Sequence, residues 1–150
     1  MKVALGCDHA GLELKNQIIT LLNELGIKYQ DFGAYEPVSC DYSDYAIKVS
    51  ELVAKGEYDR GILICGTGIG MCIASNKVKG IRAALVENLY SARLTREHNN
   101  TNVLCLGARV IGPEIAKEIV KIWLSTEFLG GKHERRINKI TEYENINLKK

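Results

Sequence analysis

The sequence predicts a three-layer α/β/α fold in which a five-stranded parallel sheet lies between two layers of helices. Short, mostly apolar segments alternate with longer segments whose apolar residues recur every three or four positions. Two of the short segments, "GILIC" and "NVLCL", are apolar throughout, so helices are expected on both of their faces. The predicted arrangement is Rossmann-like and ends in a C-terminal helix.

Each predicted strand is followed by a predicted helix. The strands, in order, are "KVALGC", "IKYQDFG", "RGILICG", "IRAALV" and "NVLCLG". The helices carry apolar stripes and span, in order, Leu14 to Leu25, Tyr42 to Val53, about Met71 to Lys77, Ser91 to His98, and a segment that begins near Pro113. In the last of these the predicted buried face consists of Ile115, Ile119, Ile122 and Trp123. The charged tail from Lys132 has a narrow stripe of Ile137 and Ile140, which predicts a helix that packs against another subunit.

Composition narrows the possible functions. The 150 residues suit one domain, 1–150, and the net charge of +2 is too small for nonspecific nucleic-acid binding. The amino terminus does not read as a signal peptide, and no apolar run is long enough to span a membrane, so we expect a cytoplasmic protein without a membrane partner. Five cysteines without a C-x-x-C pair argue against a disulfide framework and a zinc site. Buried packing is the default role for each thiol.

The carboxyl ends of the predicted strands indicate where a ligand binds, because loops and helix amino termini meet there in open parallel sheets. Four stretches with reactive side chains are expected to converge on one cleft. They are "GCDHAG" with Asp8 and His9, "CGTGIG" with Cys65, "GAR" with Arg109, and "REHNN" with His98 and Asn99.

The glycine loop Gly66, Gly68 and Gly70 matches neither the dinucleotide nor the P-loop nucleotide signature. Its successive N–H groups ahead of a helix nevertheless predict a nest for negative charge. A tight strand-to-helix connection is the alternative interpretation. Cys65 at the nest is a candidate base or nucleophile. Taken singly, Asp8 would be a helix cap and His98 a helix-end residue.

Taken together, "GCDHAG", "DY" at 41–42, "GILICGTGIGMCIASNKVKGIRAAL", "ARLTREHNNTNVLCLGARVIG" and "GGKHERR" resemble the ribose-5-phosphate isomerase type B family and its relatives that isomerise galactose 6-phosphate and allose 6-phosphate. The resemblance implies aldose–ketose isomerisation through an enediolate, without metal or cofactor. It assigns ring opening to His98, the carbon proton to Cys65, and the oxyanion to the amides of residues 66 to 70, including Ile69. Thr67 would assist proton transfer between the oxygens.

The resemblance also implies how the substrate is held. Asp8, Asn99 and Tyr42 match sugar-binding positions, and His9, Arg109, Lys132 and Arg136 match phosphate-binding positions. Many relatives have arginine where this chain has Lys132, so phosphate binding is weakened unless Arg135 compensates. An apolar Met71 together with Cys65 places the chain in the thiol branch rather than the glutamate branch. The family forms homodimers, or dimers of dimers, with shared active sites.

Three alternatives remain open. The substrate could be a six-carbon aldose 6-phosphate, or the protein could be a phosphosugar-binding module that does not turn its ligand over. Such a module has no need of a thiol and a histidine at the nest, so Cys65 and His98 favour an enzyme. A metal-dependent enzyme built on His9, His98, His133 and a cysteine is disfavoured, because no pair of them has tight ligand spacing.

Overall fold

The computed structural model describes residues 1–147, in which strands and helices alternate along the chain. The elements are β1 (Lys2–Cys7), α1 (Leu12–Glu24), β2 (Lys28–Asp31), α2 (Tyr42–Ala54), β3 (Arg60–Cys65), α3 (Ile69–Ser75), β4 (Ala83–Leu85), α4 (Leu89–Glu97), β5 (Val103–Gly107), α5 (Pro113–Ser125) and α6 (Lys132–Asn147). All neighbouring strands are parallel, in the order β2-β1-β3-β5-β4. These features confirm the predicted three-layer α/β fold and its C-terminal helix. No helix in residues 1–147 has both the length and the hydropathy needed to cross a bilayer.

The two faces of the sheet carry separate apolar cores. Successive side chains of a strand point to opposite faces, so Leu5 packs on the side of α1 and α5, whereas Ala4 packs on the side of α2 and α3. The thiol of Cys65 belongs to the second core. Both faces are therefore covered, as the apolar strands require.

Two details differ from the sequence prediction. Ile115 is 45% exposed, whereas Ile119 and Trp123 are fully buried. The buried positions of α5 follow Ala116 at helical spacing, and Ile115 lies one residue off that stripe. The third helix begins at Ile69 rather than near Met71, because Gly68 turns the chain with a φ of +78° directly before it.

The strand order creates a crevice at the carboxyl edge of the sheet. β1 pairs with β2 on one side and with β3 on the other, and the chain reaches β3 from β2 by crossing over β1. The connections after β1 and after β3 therefore lead towards opposite edges of the sheet. Cys7 of β1 is in register with Ile64 of β3. The crevice between these two strands is the expected ligand position in an open α/β sheet.

The strand β4 lies at an edge of the sheet, and a side chain covers part of that edge. Asn76, just after α3, accepts a hydrogen bond from the Ala83 N–H at 2.9 Å through Oδ1 and donates one to the Ala83 carbonyl at 3.0 Å through Nδ2. Its amide thus satisfies the main-chain groups of Ala83 that a neighbouring strand would otherwise bind.

Candidate active site

Asp8 is fixed at the crevice by the backbone around it. Its Oδ1 accepts hydrogen bonds from the N–H groups of Ala10 at 2.9 Å and Gly11 at 3.2 Å. Its own N–H donates to the Ile64 carbonyl at 3.1 Å, which joins it to β3. Gly11 packs so closely on the Ile64 backbone that a Cβ would not fit. Asp8 is therefore a held carboxylate beside the end of β3.

Cys65 ends β3 and points into the first turn of α3. Its Sγ accepts a hydrogen bond from the Gly68 N–H at 3.0 Å, and the residue is almost fully buried. The Thr67 hydroxyl accepts from the Ile69 N–H at 3.3 Å. A Cβ on Gly107 would lie 2.6 Å from the Thr67 carbonyl oxygen, so the loop rests directly on the end of β5. Close backbone packing thereby fixes the position of the thiol.

Two side chains flank the glycine loop. The Tyr42 ring lies over Gly70, where a Cβ would come 2.6 Å from Cε2 of the ring. The Arg109 side chain lies over Gly66, with its Cδ 3.5 Å from the position that a Cβ would take. The N–H groups of Gly70 and Met71 belong to the first turn of α3, where no intrahelical acceptor exists. A cation and free amides therefore surround the loop, as the anion nest requires.

His9 stands next to Asp8 with one ring nitrogen already occupied. Its Nδ1 accepts a hydrogen bond from the Cys40 N–H at 3.4 Å. That bond assigns the hydrogen to Nε2, which is then a donor. The carboxyl edge therefore unites most of the predicted site residues, namely Asp8, His9, Tyr42, Cys65, Gly66, Thr67, Gly68, Ile69, Gly70 and Arg109.

The remaining predicted residues lie at the opposite, amino edge of the sheet. Helix α4 runs from the carboxyl end of β4 back towards the amino edge, where the chain enters β5. The carbonyl of Asn102, the residue before β5, accepts a hydrogen bond from the Gly61 N–H near the start of β3. Cys65 lies four residues further along β3, roughly 13 Å away at about 3.3 Å per residue. His98 and Asn99 therefore do not reach Cys65 in one chain. The predicted convergence on a single cleft is wrong within one chain, because a helix that follows a strand returns its end to the other edge.

His98 stacks on His133, and this pair organises the amino edge. The ring centroids are 4.1 Å apart, with 7° between the planes. The Leu129 N–H donates to the Glu97 carbonyl at 3.1 Å, which holds the loop before α6 against the end of α4. Burial lowers the pKa of His133, and the nearby charges of His98, Lys132 and Arg136 lower it further. Lys132 and Arg136 lie with His133 on the first turns of α6.

Sequence reasoning missed several residues that support this edge. The sequence indicates His133 only as one ligand of a disfavoured metal site, although it lies inside the "GGKHERR" segment that contributes to the family resemblance. Arg96 and Asn100 also went unnoticed. Arg96 Nη1 donates to Asn100 Oδ1 at 2.8 Å. Their spacing of four within "REHNN" was the available signal, because residues four apart face each other at a helix end.

The other thiols differ in their environments. Burial raises the pKa of Cys7 to about 11 and raises that of Cys105 well above its usual value. A hydrogen bond from the Cys105 thiol is the main cause that lowers the pKa of Cys72 to about 6. Cys72 lies on α3 beside β4, with its Sγ 3.5 Å from the Ala83 carbonyl oxygen. Among the residues that the structure describes, no three His, Cys, Asp or Glu side chains cluster closely enough to hold a metal ion.

Comparisons with known proteins identify relatives of this chain. The family model described as Ribose/Galactose Isomerase matches residues 3–140. Ribose-5-phosphate isomerase B of Escherichia coli is 50% identical over 95% of this chain and 96% of its own. Ribose-5-phosphate isomerase B of Clostridium thermocellum superposes with a TM-score of 0.96, at 51% identity over 97% of this chain and 99% of its own.

A further solved structure contains a ligand. Ribose-5-phosphate isomerase B of Mycoplasma genitalium with bound ribulose-5-phosphate superposes with a TM-score of 0.93, at 44% identity over 96% of each chain. The matches cover the described sheet, both helical layers and both edges. The chain belongs to the ribose/galactose isomerase family.

Proposed function

We propose that this chain is a single-domain enzyme that interconverts ribose 5-phosphate and ribulose 5-phosphate through an enediolate. The observation that carries the proposal is the position of the Cys65 thiol, 3.0 Å from the Gly68 N–H at the lip of the glycine loop. A protein that only binds a phosphosugar does not need a thiol at this position, whereas an isomerase needs a base there. The relatives named ribose-5-phosphate isomerase B, and the one solved with ribulose-5-phosphate, support this substrate.

In the proposed proton transfer, Cys65 as thiolate removes the hydrogen from carbon 2 of the open-chain aldose and returns it to carbon 1. Negative charge then develops on the carbonyl oxygen, and the amides of the loop from Gly66 to Gly70 stabilise it. The Thr67 hydroxyl moves a proton between the two oxygens of the enediolate. Asp8 and Tyr42 hold the sugar hydroxyls, since one oxygen of Asp8 is already bound by backbone N–H groups and the other faces no partner within residues 1–147.

Ribose 5-phosphate is mainly a furanose, so its ring must open first. As the bond between carbon 1 and the ring oxygen breaks, a proton leaves the hydroxyl on carbon 1 and another reaches the ring oxygen. We assign this proton movement to His98, with Asn99 on the neighbouring hydroxyls. The phosphate binds His9 and Arg109 from the carboxyl edge and Lys132 and Arg136 from the amino edge.

These roles require two copies of the chain, because His98 and Cys65 lie at opposite edges of the sheet. We propose a homodimer, alone or paired again, in which each active site joins the carboxyl edge of one copy to the amino edge of the other. Apolar side chains are exposed beside both halves and support such an interface. Ile69 and Ile73 near the glycine loop are 52% and 59% exposed. At the amino edge, the groove that Asn99 lines also contains Ile140, which is 61% exposed.

The proposed reaction belongs to the pentose phosphate pathway in the cytoplasm, and it uses no cofactor and no metal. The test compares turnover of ribose 5-phosphate, allose 6-phosphate and galactose 6-phosphate by the purified protein with and without a chelator. We expect ribose 5-phosphate to be preferred and the chelator to have no effect. Preference for a six-carbon sugar would show that ribose 5-phosphate is not the main substrate. Loss of activity with the chelator would show that the mechanism depends on a metal ion. Binding without turnover of any of the three would favour a phosphosugar-binding module.

A further inference from the structure

The turn that follows α4 is held in an uncommon backbone conformation by two arginines. Asn100 has a φ of +45° although it is not glycine. Arg96 Nη1 donates to Asn100 Oδ1 at 2.8 Å, and Arg82 Nε donates to the Asn100 carbonyl at 2.9 Å. We call these three residues the Asn100 clamp. His98 and Asn99 lie in the segment between Arg96 and Asn100, after Glu97.

The Arg96 side chain is buried in the protein rather than exposed at the surface. It is only 2% exposed, and its Nη1 also donates to the Thr101 carbonyl at 2.6 Å while its Nε donates to the Thr126 carbonyl at 3.3 Å. Burial, and then the charge of Arg60, lowers the pKa of Arg96 to about 10, so the guanidinium remains charged at neutral pH. A buried charge with three oxygen acceptors holds the turn in one geometry.

Ending a helix does not need such an arrangement. A glycine after α4 would adopt positive φ without a side chain to anchor, and this is the common way in which helices end. The chain instead has an asparagine whose side chain and carbonyl are each bound by a different arginine. The clamp therefore does more than stop the helix, because it sets the direction in which the two preceding side chains leave the backbone.

We propose that Arg96 is a positioning residue for ring opening, acting through Asn100 on His98 and Asn99. The inference rests on the proposed function, in which His98 moves the protons of ring opening. It predicts a selective defect. Ribulose 5-phosphate cannot close a furanose ring, because the oxygen that would close it carries the phosphate. Exchange of its carbon 1 hydrogen with solvent therefore needs Cys65 and not the Asn100 clamp.

The experiment uses Arg96→Lys, which keeps the charge and loses the planar fork, and Asn100→Gly, which accepts positive φ and loses only the acceptor for Arg96. Arg93→Lys, on the exposed face of α4, is the matched control. Two rates are measured for each variant. They are turnover of ribose 5-phosphate, and deuterium incorporation at carbon 1 of ribulose 5-phosphate in heavy water, followed by NMR.

We expect both clamp variants to lose turnover by about 100-fold and to raise the ratio of exchange to turnover by about tenfold or more, while the control matches the wild type. A folded Arg96→Lys or Asn100→Gly variant with wild-type turnover, or with turnover and exchange reduced equally, would overturn the inference, because general structural damage lowers both rates together. If the wild-type protein neither converts ribose 5-phosphate nor exchanges the hydrogen, the proposed function fails instead.

Discussion

The two edges of the sheet position their reactive groups by different means. At the carboxyl edge, glycines have no Cβ and so allow two backbone segments to pack in direct contact. A Cβ on Gly68 would lie 2.9 Å from the carbonyl carbon of Leu106, and one on Gly107 would lie 2.6 Å from the Thr67 carbonyl oxygen. At the amino edge, long side chains do the positioning. Arg96 binds Asn100 and Thr101, and the Trp123 Nε1–H donates to the Thr101 hydroxyl at 2.9 Å.

The difference matches what each edge supplies in the proposed mechanism. Oxyanion donors are main-chain N–H groups, and only the path of the backbone can aim them. An imidazole is aimed by its rotamer and by the turn that carries it, so buried side chains can hold it. The carboxyl edge should therefore be sensitive to a Cβ added at Gly68, Gly70 or Gly107, and the amino edge to the loss of a hydrogen-bonding fork.

Replacing the thiol should have the largest effect. We expect Cys65→Ala and Cys65→Ser to lower turnover by about 100- to 10,000-fold with the fold intact, because a positioned base is lost and a hydroxyl is too weakly acidic to replace it. Cys72→Ala, on the adjoining helix, is the control and should retain turnover. The measurement is turnover together with solvent exchange of the carbon 2 hydrogen. Wild-type exchange by folded Cys65→Ala would show that the thiol is not the base.

Mixing two inactive variants tests whether the edges meet between chains. Cys65→Ala and His98→Ala should each be inactive alone. After subunit exchange, half of the dimers are mixed, and each mixed dimer has one site with both changes and one with neither. About a quarter of wild-type turnover should return. Sedimentation after mixing must show dimers or larger assemblies. Absence of recovery despite proven exchange, or an active monomer, would contradict the shared site.

Removing one cation from each edge asks whether both edges hold the phosphate. Arg109→Ala and Arg136→Ala should each raise KM by about 10- to 100-fold, as expected when a hydrogen bond to a charged group is lost. Turnover should fall less, and added salt should weaken binding further. Lys132→Arg is the reciprocal test and should lower KM by restoring a bidentate fork, unless Arg135 already compensates. Wild-type kinetics in both alanine variants would mean that the phosphate lies elsewhere.

The smallest effect concerns pH and is confined to the amino edge. Because the pKa of His133 is lowered in the folded chain, the unfolded chain binds a proton on this ring at a higher pH than the folded chain does. The free energy of unfolding should therefore be highest above pH 6.5 and fall as the pH drops through the lower folded pKa. His133→Gln should reduce that slope in urea titrations made above and below pH 6.5. An unchanged slope would show that this ring does not set the pH dependence.

Much of the molecule was predictable from sequence because periodicity and apolar runs report burial directly. Each strand precedes a helix as predicted, and Asp8, Cys65 and Arg109 follow buried strands at one edge. The position of His98 was not predictable in the same way. It follows a helix, and the end of a helix that returns along the sheet lies at the opposite edge. The spacing of Arg96 and Asn100 indicates that they can meet, but it does not reveal that Arg96 is buried, since charge and length alone suggest a surface position.

Asn76 has a consequence for how copies of the chain can meet. A second molecule that extended the sheet by adding a strand to β4 would have to displace the side-chain amide that already binds both main-chain groups of Ala83. Continuous sheets across two molecules are therefore disfavoured on this side, which also protects the edge against aggregation. On this side of the sheet, the proposed dimer would therefore have to form through helices and loops, such as the glycine loop and the turn that carries the stacked imidazoles.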